Sequence, residues 1–176
     1  MEYPQTSTRK IKAVGIVLVA LTFIASLCRP FQDIDIPIYA SIGEAIYSHG
    51  LLPYEYIFDH KPFGAYLLYG IPALLLPKEL PQFQIFSLAI IGATAFIITK
   101  ITKRRNTVIY LTLLSVISYK YLRFSGNTEI IFTLLGLISI LALLQKKRAY
   151  AIALSAAIAA IAAQVNYLSF FLIGPP

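Results

Sequence analysis

The sequence predicts an all-α protein: a polytopic membrane helical bundle with a large first extracytoplasmic loop that contains an amphipathic surface helix. Three observations carry this expectation. Of 176 residues, 58% are apolar and 13% charged, with no tryptophan and a mean hydropathy of +0.74, which sets the chain apart from soluble domains. The apolar residues gather into runs approaching the roughly 20 residues that cross about 30 Å of hydrocarbon. The 15 basic residues exceed the 8 acidic ones, but they sit in short clusters between the runs. That pattern sets topology and offers no stripe for nucleic acid.

The first span is expected at 13–28, behind Arg9, Lys10 and Lys12. A basic start followed by an apolar stretch also describes a signal peptide. Leu27, however, occupies a position where cleavage near Ala25–Cys28 requires a small residue, and four more spans follow. The segment therefore reads as an uncleaved helix with a cytoplasmic N-terminus. Cys28 is the only cysteine and forms no internal disulfide. The later spans are expected at 83–99, 107–121, 129–145 and 149–173. The last is rich in alanine, which suits close helix packing.

Phe63–Leu76 decides the topology. Its 14 residues would make a helix of about 21 Å. If it does not cross, ten basic residues lie inside and five outside; if it crosses, the tally becomes six and nine. The positive-inside rule selects the first arrangement, with Phe63–Leu76 re-entrant or interfacial. Residues 30–82 then form one outer loop, and seven of the eight carboxylates, all but Glu2, lie outside.

That loop is the functional candidate. Pro30–Pro62 holds five carboxylates (Asp33, Asp35, Glu44, Glu55, Asp59), both histidines and Lys61, a dense polar cluster at the mouth of an apolar bundle. Pro37–His49 has helical spacing, with Ile38, Ile42, Ala45 and Ile46 on one face. Asp35 stands just before it as a capping residue would, and Pro37 suits a first turn. A second outer segment, Tyr119–Glu129, brings Lys120, Arg123, Asn127 and Glu129 to the same side.

The ordered set Asp35-Ile36-Pro37-Ile38-Tyr39-Ala40, Gly50-Leu51-Leu52-Pro53-Tyr54 and Phe58-Asp59-His60-Lys61-Pro62-Phe63 resembles the first extracytoplasmic loop of GT-C-type glycosyltransferases. The protein O-mannosyltransferase and aminoarabinose lipid A transferase group is the nearest. Gly126-Asn127-Thr128-Glu129 is similar to that family's second acidic position. Phe63 replaces a usual second proline, and Gln164-Val165-Asn166-Tyr167 falls where many relatives carry a lysine. Such enzymes have more spans, so residues 1–176 read as one transmembrane domain, expected to be the N-terminal part of a longer, or a truncated, enzyme.

The resemblance implies a transferase in a bacterial or archaeal cytoplasmic membrane that moves a sugar from a polyprenyl-phosphate-linked donor to an extracytoplasmic acceptor: protein, lipid A or cell-surface glycan. Its implied catalytic residues are Asp35 and Glu129, and its implied substrate-binding residues are Tyr39, Asp59, His60, Lys61, Arg123 and Asn127. The chemistry needs a base for the acceptor proton and cations for the departing phosphate. Asp35 is also the candidate ligand for a divalent cation, with Asp59 and His60, although two histidines without ligand spacing do not define a metal site. A non-enzymatic membrane protein, such as a transporter subunit or assembly partner, is the other class considered. Transporters place ionisable groups at mid-membrane, whereas here they cluster in outer loops.

Overall fold

The computed structural model describes residues 5–28, 35–54, 61–77, 81–103, 106–122, 128–144 and 148–166. These form seven helices and no strand: α1 (Gln5–Leu27), α2 (Asp35–His49), α3 (Phe63–Leu75), α4 (Gln82–Thr102), α5 (Thr107–Leu122), α6 (Thr128–Leu143) and α7 (Arg148–Val165). The protein is all-α. The final span, expected over 149–173, is helical as far as Val165, and residues 167–176 lie outside the described part.

The packing separates small and polar residues from large apolar ones in an unusual sense. Among the fully or nearly buried side chains are Ser87, Thr94, Ser115, Ser139, Ser155 and Asn166, with Ala95, Ala142 and Ala162. The large apolar side chains of α1, such as Val14, Val17, Leu21 and Ile24, are more than half exposed, as are Phe96, Leu113 and Ile152. Small buried residues let helix backbones approach closely. Three threonine hydroxyls bond inward: Thr94 donates to Ile90 O (2.8 Å), Thr99 to Ala95 O (2.8 Å) and Thr112 to Val108 O (2.8 Å). Each satisfies its hydroxyl within its own helix, with no need of water. Two helices, α1 over Arg9–Leu27 and α4, are long and apolar enough to cross a membrane, while α3, α5, α6 and α7 contain shorter apolar stretches.

Side-chain pairs set the helix directions. Ser139 and Ser155 share a hydrogen bond of 2.6 Å, and Asn166 Nδ2 donates to Thr128 Oγ1 at 3.0 Å. The pairing makes α6 and α7 an antiparallel hairpin. Thr99 and Thr107 hydroxyls meet at 2.9 Å across the α4–α5 turn. A Cβ on Gly15 would lie 2.7 Å from Thr112 Oγ1 and 3.0 Å from Val108 Cγ1, so the N-terminal half of α1 runs beside the start of α5. One end of the bundle therefore holds the start of α1, the α4–α5 turn and the α6–α7 turn.

The opposite end holds a buried cluster of Ile36, Tyr39, Ala40 and Ile42 from α2, Tyr66 and Tyr69 from α3, Ile131 from α6 and Val165 from α7, with Phe83 and Phe86 of α4 against it. α3 meets α7 and α4 at this end: Gly64 abuts the Gln164 backbone, and the Tyr69 ring lies 6.1 Å from Phe86. The buried stripe of α2 matches the expected one at Ile42 and Ile46 and departs from it at Ile38. Ile38 is 42% exposed, and the buried residues are Ile36, Tyr39, Ala40, Ile42 and Gly43. The reason is the α2–α3 crossing, where Gly43 meets Gly70 backbone to backbone. A glycine contact rotates the helix toward its smallest face, which a count of large apolar residues does not register.

Candidate functional site

Asp35 is the first residue of α2 and is exposed. An acid in the first turn complements the positive end of the helix dipole. The helix starts at Asp35 itself, two residues before the expected Pro37, so the carboxylate stands at the rim of the buried cluster. One turn on, the Tyr39 hydroxyl donates to Asp35 Oδ2 at 3.1 Å. Tyr39 is 2% exposed. Its ring packs edge-on against Tyr66 (centroids 6.0 Å apart) and tilted against Tyr69 (5.6 Å). The expected role of Tyr39 as a substrate contact does not fit so buried a side chain; its reach is through its neighbours.

The other neighbour is Lys61. Its Nζ lies 5.8 Å from the centroid of the same Tyr39 ring, within cation–π range. Lys61 is partly buried, and among the described residues no carboxylate pairs with it. Its main chain is fixed from two sides. The Tyr66 hydroxyl donates to Lys61 O at 3.1 Å, and the Tyr54 hydroxyl donates to the same oxygen. Tyr66 is fully buried on α3, and Tyr54 sits in the left-handed region at φ 72°. Both lone pairs of one carbonyl are thus engaged by phenols from separate segments. The sequence drew attention to neither tyrosine as a site residue.

Glu129 lies in the first turn of α6 and borders the same cluster through Ile130 and Ile131. Its Oε2 is buried and has no hydrogen-bond partner among the described residues. An unsatisfied buried carboxylate oxygen is costly, and a donor arriving from a ligand would remove that cost. Beside it, Thr128 is 1% exposed and held by Asn166, so the α6 start is tied to the α7 end. Asn166 belongs to the segment where a lysine was expected by resemblance; here it is a buried helix-to-helix donor.

The structure thus brings Asp35, Tyr39, Lys61 and Glu129 to one end of the bundle. Asp33, Asp59, His60, Arg123 and Asn127 lie outside the described residues, and the Lys120 side chain is likewise undescribed. Among the described residues no three His, Cys, Asp or Glu side chains gather as a metal site. Asp35 by itself does not make one.

No protein-family model, curated protein or solved structure matches this chain.

Proposed function

We propose that the chain is a membrane-embedded bundle, or the N-terminal part of one, that transfers a sugar from a polyprenyl-phosphate-linked donor to an extracytoplasmic acceptor. The membrane part of this reading is supported by the inverted surface: only 11% of the apolar window in α1 and 22% of that in α4 is buried. A core helix of a soluble protein would be mostly buried. It is supported too by charge. Of the described charged side chains, Arg9, Lys10, Lys12, Lys100 and Lys103 stand at one end, and Asp35, Glu44, Lys61 and Glu129 at the other. With the basic end cytoplasmic, α3 lies at the outer end without crossing.

The observation that carries the chemical reading is that one buried tyrosine holds an acid by its hydroxyl and an ammonium by its ring. The transfer requires that pairing. The acceptor oxygen forms its bond to the anomeric carbon while the bond from that carbon to the phosphate oxygen breaks. The electron pair leaves with the phosphate, whose growing charge Lys61 stabilises, and the acceptor proton passes to Asp35. An apolar groove of about 620 Å³ between α6 and α7 runs from Phe132 and Thr133, one turn past Glu129, to Leu143. It suits the lipid chain of such a donor.

The test uses membranes containing the full chain, supplied with a panel of synthetic polyprenyl-phosphate sugars and an envelope extract, with product followed by mass spectrometry. Transfer that falls about 100-fold in Asp35→Asn, with the protein still inserted, is the expected result. Undiminished transfer by Asp35→Asn, or none by the wild type with any donor, overturns it. Topology is read separately by thiol labelling in a Cys28→Ser background. Ser48→Cys should react from outside and Lys103→Cys should not.

A further inference from the structure

The end of the bundle remote from Asp35 carries its own pattern. Arg9, Lys10 and Lys12 on α1 and Lys100 and Lys103 at the end of α4 are all exposed. They come from segments about ninety residues apart, and α5, packed against both helices, brings them to one side. The Gly15 contact with Thr112 and Val108 draws α1 onto α5. The Thr99–Thr107 hydrogen bond closes α4 onto α5, and the Thr102 and Tyr110 hydroxyls meet at 3.4 Å beside it. Lys103 occupies the left-handed C-cap of α4 at φ 55°, so the turn holds it in a fixed place. Among the described residues no carboxylate stands at this end.

Lys100 indicates the depth at which the cations lie. Its Nζ sits 5.1 Å from the centroid of the Phe96 ring, and that ring is 51% exposed. An exposed aromatic face beside an ammonium is an arrangement for the boundary between hydrocarbon and headgroups. The five exposed cations thus stand beside the exposed apolar surface of α1 and α5.

We propose that the α1 start and the α4–α5 turn form a docking surface for the headgroups of anionic phospholipids, such as phosphatidylglycerol, in the cytoplasmic leaflet. The surface offers several cations to a phosphodiester, with exposed Ile11, Val14 and Ile109 below them to meet the acyl chains. Each cation near an anionic membrane contributes about 1 kcal/mol, or roughly fivefold in affinity. The partner is a diacyl lipid because the apolar surface begins directly beneath the charges. The proposal rests on the membrane reading above and is independent of the transferase reading.

The test is native mass spectrometry of the purified full chain in a non-ionic detergent, titrated with dioleoyl phosphatidylglycerol, dioleoyl phosphatidylcholine or inorganic phosphate. The wild type should retain phosphatidylglycerol at least tenfold over phosphatidylcholine and should not retain phosphate. Lys100→Gln/Lys103→Gln and Arg9→Gln/Lys10→Gln/Lys12→Gln should each lower phosphatidylglycerol affinity by about fivefold per charge removed. Lys100→Arg/Lys103→Arg, which keeps the charge, should retain it, and all these positions are exposed, so circular dichroism should be unchanged. Equal retention of the two lipids, or of phosphatidylglycerol by wild type and glutamine variants, overturns the proposal. Phosphate bound as tightly as phosphatidylglycerol also overturns it, in favour of a free-anion site. Release of the chain from native membranes by alkaline carbonate would instead defeat the membrane reading itself.

Discussion

Replacing Gly43 with alanine places a methyl group where α2 crosses α3. The added Cβ would lie 2.1 Å from Tyr66 O, 2.6 Å from Gly70 Cα and 2.7 Å from Gly70 N. All three are backbone atoms, so no side chain can rotate aside. Ordinary contact begins at 3.4 Å, and the two helices must separate by about 1.3 Å to reach it. Separation opens the packing of Tyr39 on Tyr66 and Tyr69 and forfeits dispersion contacts along the interface. Overpacking of this kind typically costs about 1–3 kcal/mol, and an all-backbone clash belongs at the upper end. Against it, alanine gains about 0.5–1 kcal/mol over glycine within a helix. The expected net loss is about 2 kcal/mol. Gly92 is the control, because a Cβ there meets nothing within 4 Å, and Gly92→Ala should be neutral or stabilising. Unfolding by SDS in mixed micelles, followed by far-UV circular dichroism, measures both. A Gly43→Ala protein as stable as Gly92→Ala would refute the crossing.

Three other outcomes test the site. Asp35→Asn retains the helix-start geometry, since asparagine and aspartate rank alike near helix N-termini, whereas Asp35→Ala should lose about 1 kcal/mol of stability; both should lower transfer about 100-fold, and normal transfer by Asp35→Asn would leave only a structural role. Glu129→Gln replaces an orphaned buried acceptor with a group that can donate, so stability should hold within about 1 kcal/mol while transfer falls at least tenfold; unchanged transfer would make Glu129 only a helix-start acid. Tyr66→Phe and Tyr54→Phe should each cost about 1 kcal/mol or less while the other phenol still serves Lys61 O, and the double variant should lose more than their sum. Strict additivity in that cycle would mean the two hydroxyls do not share the carbonyl.

Much of the helical order was legible because span length and apolar runs are local properties. The starts of α4, α5 and α6 fall within one residue of the expected spans, since Pro81, Asn106 and the polar segment before Thr128 interrupt apolar sequence there. The face of α2 was legible only in part, with Ile42 and Ile46 on the cluster as expected and Ile38 turned away from it. Its buried side is set by Gly43 meeting Gly70, twenty-seven positions along the chain, and neither glycine carries a hydrophobic signal of its own. Asp35, Lys61 and Glu129 stood out as charges in apolar surroundings. The phenols that hold Lys61 did not, because Tyr54 and Tyr66 are two of twelve tyrosines and only the fold selects them.

The same contacts tie the site to the crossing. Asp35 and Tyr39 ride on α2, Tyr66 at the Lys61 carbonyl rides on α3, and the two helices are held in register by a glycine pair about one turn beyond Tyr39. The Asp35 carboxylate and the Lys61 ammonium are therefore related through a rigid buried object, the Tyr39 ring, and not through a direct ion pair. A direct pair would neutralise both groups in the resting protein and would have to break before either could act. Mounting them on separate parts of one aromatic side chain keeps the cation available for an anion while fixing its position relative to the acid. The arrangement makes a distinct demand of Tyr39→Phe. It should keep the Lys61 ring contact, because phenylalanine preserves the face, and lose the Asp35 hydrogen bond. Donor KM should then stay near the wild-type value while kcat falls. Tyr39→Leu removes both supports and should damage kcat and KM together. Equal kinetic profiles for the two variants would show that the ring does not position Lys61.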